Sequence, residues 1–108
     1  MDLVKLVVFV PEADSERVRK ALGEAGAGYI GKYSFCSWSV SGTGRFRPEE
    51  GAVPHIGTVG QLETVAEERI EVTCRRELAR EIAQVVRSIH PYEEVVIDAY
   101  SMLDPDDL

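Results

Sequence analysis

At 108 residues with 44% hydrophobic content, the chain suits one domain, residues 1–108, that buries roughly two-thirds of its unfolded surface without staples. Its net charge of −7 lies mostly in residues 65–108, which hold eleven acidic and five basic side chains, a balance that disfavours nucleic acid and anionic membranes. No apolar run approaches the ~20 residues of a membrane span, and MDLVKLVVFVPEAD lacks a basic region and a small-residue cleavage site, so the expected location is cytoplasmic.

Leu3 to Val10, LVKLVVFV, is nearly continuous in apolar residues and stops at Pro11, the pattern of a central strand covered on both faces. Asp14 or Ser15 then offers an N-cap, and Val18, Ala21, Leu22 and Ala25 recur at helical spacing, giving a helix over Ser15–Ala25 that stops at Gly26 and Gly28. From Tyr33 to Ser41 the chain alternates, with Cys36, Trp38 and Val40 on a face expected to be buried.

Residues 41–65 follow as a long excursion carrying five of the nine glycines, far beyond the about 4–6 residues of an ordinary connection. Glu68, Ile70, Val72 and Cys74 alternate with Arg69, Glu71 and Thr73, a third strand over Ala66–Cys74. Leu78, Ile82, Val85, Val86 and Ile89 form the stripe of a second helix over Arg75–Ile89, ended by His90-Pro91. A fourth strand covers Val95–Met102, and residues 103–108 form an acidic tail.

The order βαββαβ specifies an α+β, ferredoxin-like fold: a four-stranded antiparallel sheet with two helices on one face and an extended loop or ribbon between strands 2 and 3. The other face carries Val96, Tyr100 and Met102 beside an apolar first strand, so association through it is expected. Trp38 and Tyr100 read as core or interface aromatics. Asp98, if buried, needs a basic partner. Cys36 and Cys74, with no CxxC spacing, read as small buried thiols.

Three stretches together resemble the YqfO-like, NGG-interacting-factor-three family: the SGTGRFRP…G..P.IG..G.LE.V loop, the E.RIEV strand, and HPYEE before a hydrophobic strand. The resemblance covers about Lys5 to Met102 and is to the domain inserted in the larger members, here in a stand-alone version. It implies a fold similar to CutA and the PII signalling proteins, which are trimers with long loops between strands 2 and 3. The larger members bind two metal ions through flanking domains, and some are described as GTP cyclohydrolase type proteins. Without those domains, that metal site and its activity are expected to be absent.

Two strings are candidate sites. Gly42, Gly44, Arg45 and Arg47, with His55 further along, suit a small anion, because glycines admit backbone amides and arginines clamp oxyanions. The alternative makes the glycines bulges or a bend, with the arginines paired to Glu49, Glu50 or a neighbouring subunit. His90, Pro91, Tyr92, Glu93 and Glu94 could ligate a metal or share a proton. Structurally, His90 instead caps the second helix as an imidazolium favoured by the dipole, Pro91 stops it and Tyr92 packs before the last strand.

No Ser-His-Asp set, activated cysteine or isolated carboxylate pair stands out, so no catalytic residue, metal ligand or cofactor is assigned. The expected function is a non-enzymatic homo-oligomer, a trimer or else a dimer, that senses a small anionic ligand or regulates a partner protein. The alternatives are a structural protein-interaction domain and a metal-dependent hydrolase related to the larger family members.

Overall fold

The Val-rich first run forms β1 (Leu3–Pro11), flanked on one side by β3 (Glu63–Arg75) and on the other by β4 (Ile97–Ser101). The structure, a computed structural model, describes residues 2–108. β2 (Trp38–Phe46) pairs with the outer side of β3, so the sheet runs β2-β3-β1-β4 with every pair antiparallel. The helices α1 (Ser15–Glu24) and α2 (Arg76–Ile89) complete the expected ferredoxin-like fold.

The period of two decides which side chains meet the helices. Val4, Leu6 and Val8 stand opposite Cys74, Val72 and Ile70, and all six are buried against Val18 and Leu22 of α1 and Ile82 and Val86 of α2. Each such aliphatic side chain contributes about 1.5–3 kcal/mol when fully buried. The Cys74 thiol sits in this layer, and burial pushes its pKa up. At the end of α1, Ala27 N–H reaches Leu22 O and Gly26 N–H reaches Gly23 O, a closure that needs the left-handed backbone of Gly26 at φ +104.

Several expectations need correction. The second strand starts at Trp38 rather than Tyr33 and continues through Gly42 and Gly44 to Phe46, pairing one to one with β3. No bulge interrupts it. The excursion is therefore reduced to residues 47–62, and β3 begins at Glu63. Since β1 pairs only with Glu67–Arg75, residues 43–46 and 63–66 form a two-stranded ribbon that outruns the rest of the sheet.

The face bearing Trp38 and Val40 is not buried within the chain: they are 62% and 45% exposed, opposite Glu71 and Arg69 on the side away from the helices. Tyr100, 53% exposed, is on the same open face, so neither aromatic belongs to the core. Cys36 precedes the strand and is only partly covered. Asp98 is exposed beside Val7, with no hydrogen bond or ion pair among the described residues, so it needs no buried partner.

Candidate functional site

The turn after α2 and the loop 47–62 meet over the open face of the sheet and enclose a cavity of about 470 Å³. Phe9, Phe46, Pro54, Ile56 and Val96 supply apolar walls, while Arg45, Arg47, His55, Glu67, Tyr92 and Glu94 supply the polar ones.

His90 braces this construction from behind. Its backbone N–H reaches Val86 O and ends the helix, but its ring turns away from the helix carbonyls, which corrects the expected imidazolium cap. Nδ1 accepts the Tyr92 N–H at 3.0 Å, so Nε2 carries the hydrogen and donates to the Phe9 carbonyl at 2.8 Å. The buried ring thus ties the turn to β1, with both nitrogens occupied.

Tyr92 then points along the cavity. Its ring lies 5.0 Å from that of His90 and meets Phe46 edge-on at 6.1 Å. Its hydroxyl donates to Glu67 Oε2 at 2.7 Å. Burial, and then the bond to the Glu67 carboxylate, push the phenol far above its ordinary range. Gly44 makes room for this pair, since a β-carbon there would collide with the Glu67 carboxylate.

The next residue holds the loop. Glu93 Oε2 accepts the Val53 N–H at 3.0 Å, and Gly60 N–H closes the neck of the loop on Pro48 O at 2.8 Å. Arg47 pairs with Glu49 at 2.9 Å, one of the two arrangements left open by the sequence. Arg45, His55 and Glu94 line the cavity without a hydrogen-bond partner among the described residues.

Of the sequence-derived candidates, the structure gathers Gly44, Arg45, Arg47, His55, Tyr92, Glu93 and Glu94 around one cavity. Gly42 lies outside it, opposite Glu67 in the ladder. Gly42 and Gly44 occupy paired strand positions, so they do not turn successive amides toward one point as a phosphate cradle does. His90 and Pro91 support the cavity without lining it. No group of three or more His, Cys, Asp or Glu among the described residues is placed to hold a metal ion. Sequence reasoning missed Glu67 and Phe46. The one signal for Glu67 was a pair of acids, Glu67-Glu68, of which only Glu68 fell on the helix face, bonded to Arg19 at 2.6 Å.

No protein-family model matches the chain. Over 104 residues it is 50% identical to the GTP cyclohydrolase 1 type 2 homolog of Mycobacterium tuberculosis, a match covering 96% of this chain and 27% of that relative. A Bacillus cereus protein related to NIF3 superposes with a TM-score of 0.83 at 48% identity, over 95% of this chain and 26% of its own. The periplasmic divalent cation tolerance protein CutA of Archaeoglobus fulgidus superposes at a TM-score of 0.70 and 22% identity, over 93% and 83% of the two chains, a likeness of fold alone. This chain spans about a quarter of the length of the curated relatives it matches. Over nearly its whole length the chain is thus similar to a domain-sized segment of the GTP cyclohydrolase 1 type 2 homologs, the NIF3/YqfO proteins, and has a CutA-like fold.

Proposed function

We propose that the chain is a homo-oligomeric, non-enzymatic module, a trimer by the PII/CutA resemblance, whose loop-covered cavity takes a small anionic ligand. The observation that carries the oligomer is the open sheet face, where Trp38, Val40, Val96 and Tyr100 are each about half exposed or more. Monomeric proteins rarely leave so many large apolar side chains on one surface. β2 adds an unpaired edge that bears no charge before Arg45, an invitation to further strand pairing.

For the ligand, the support is narrower. Arg47 is partly satisfied by Glu49, whereas Arg45 and His55 line the cavity without partners among the described residues, and Phe46, Pro54 and Ile56 offer an apolar wall beside them. An anion with a compact apolar body suits that combination. Native mass spectrometry of gently purified protein tests both parts, because it reports subunit count and retained small molecules together. A retained anion lost on replacing Arg45 and Arg47 by alanine, with the subunit count unchanged, supports the sensor. A bare oligomer, unaltered by those replacements, supports the alternative of a protein-interaction domain regulating a partner. The activity named for the longer relatives is not assigned to this chain, which matches only about a quarter of their length.

A further inference from the structure

The cavity over the open sheet face is lined by more acid than base. Glu49, Glu67, Glu93 and Glu94 face two guanidinia, Arg45 and Arg47, with His55 and the Tyr92 phenol as the other titratable groups of the wall. Arg69 stacks on the Phe9 ring at 5.6 Å, but it is paired with Glu71 at 3.2 Å and does not line the cavity. In a chain that is acidic as a whole, nothing nearby reverses this balance.

Three of the four carboxylates are engaged. Glu49 meets Arg47 at 2.9 Å, Glu67 accepts the Tyr92 hydroxyl at 2.7 Å, and Glu93 accepts the Val53 N–H at 3.0 Å. Only the first of those partners is a cation, so the charges of Glu67 and Glu93 are hydrogen-bonded without being neutralised. Tyr92 registers their field: after burial, the bond to Glu67, the Glu67 charge and the Asp14 charge all push its phenol up. An anion held by the arginines therefore also meets a wall of its own sign, which weakens its binding unless it brings a positive charge with it.

The unengaged groups fit that requirement. Arg45, His55 and Glu94 have no hydrogen-bond partner among the described residues and are exposed at the rim, whereas Phe9, Phe46, Ile56 and Tyr92 are partly buried and form an apolar floor. Phe46 and Tyr92 meet edge-on, with 63° between their planes, so they offer an angled pair of rings to a flat or compact body. One free guanidinium and one free carboxylate remain to take its two charged ends.

We infer that the ligand of this cavity is a zwitterion, a compact apolar or aromatic molecule with an anionic group for Arg45 and a protonated amine for Glu94. The inference rests on the reading of the cavity as an anion site and narrows it, since a plain anion leaves Glu94 and the acidic wall unanswered.

Three matched probes test it. At neutral pH para-(aminomethyl)benzoate carries both charges, para-methylbenzoate keeps the ring and the anion alone, and para-methylbenzylamine keeps the ring and the cation alone. Each is titrated into the full chain while the amide resonances of Phe46, Val53 and Tyr92 are followed. The zwitterion is expected to bind about fivefold tighter than para-methylbenzoate, the scale of one partly exposed ion pair. Glu94→Gln should bring the two acids to equal affinity, and Arg45→Ala with Arg47→Ala should weaken both; all three side chains are exposed, so the fold is not at stake. Equal binding of the two acids by the wild-type protein overturns the zwitterion and leaves the anion site standing. An amine that binds as well as the zwitterion and is indifferent to the arginine replacements overturns the anion site and this inference with it. Failure of all three probes to shift those resonances saturably overturns both as well.

Discussion

The hydroxyl of Tyr92 donates to Glu67 Oε2 over 2.7 Å, joining the turn after α2 to β3 across 25 positions of sequence. Removing the donor by Tyr92→Phe leaves a carboxylate oxygen without its bond and is expected to cost about 1 kcal/mol, read as a lower midpoint in urea. The alkaline side sharpens the test. The folded phenol ionises above its ordinary pKa, so its contribution is complete below about pH 10 and is lost as pH rises toward the folded value. Wild type should lose stability above that pH more steeply than Tyr92→Phe, and the variant should lack the last phenol to ionise in an ultraviolet titration. Parallel curves would contradict the placement.

Gly44 is expected to disfavour a side chain, although its strand position suits one. Gly44→Ala must displace the Glu67 carboxylate and with it the Tyr92 bond. A loss of about 1–2 kcal/mol follows, and the double variant with Tyr92→Phe should lose little more than either alone, because both remove the same contact.

Glu93 is the latch of the loop. Glu93→Ala frees the Val53 amide, and exchange across residues 48–60 should accelerate several-fold while the global unfolding midpoint barely moves, since the loop opens locally. A large fall in global stability would mean that the loop belongs to the core.

Acid should act through Glu68. Burial alone would raise its carboxyl, but the Ser39 and Ser15 hydroxyls and the Arg19 guanidinium outweigh that, so it ionises below the ordinary value. A depressed carboxyl adds stability above its unfolded pKa of about 4.3, and that stability disappears as pH falls through the lower folded value. Glu68→Gln should therefore be less stable than wild type at neutral pH and converge with it in acid.

Much of this was readable in the chain itself. β1 and β3 announce themselves by unbroken and alternating apolar residues, and α2 by its stripe from Leu78 to Ile89, because burial writes the period of each element directly into sequence. The extent of β2 was hidden, since Gly42 and Gly44 carry little strand preference and pair because β3 stands beside them. Tyr33 to Ser37 misled in the opposite direction: its alternation looks like strand, but the turn at Gly31 and the left-handed Phe35 keep it out of the ladder. The HPYEE string drew attention as a string. Its meaning lay in partners 81, 25 and 40 positions away, Phe9 for His90, Glu67 for Tyr92 and Val53 for Glu93, which no local pattern encodes.

The most direct test of self-association is sedimentation equilibrium of the full chain at micromolar concentration, for wild type and for a variant with Trp38→Glu and Tyr100→Glu on the open sheet face. A stable trimer that the double variant breaks into folded monomers is the predicted result. A wild-type chain that sediments as a monomer throughout would contradict the account.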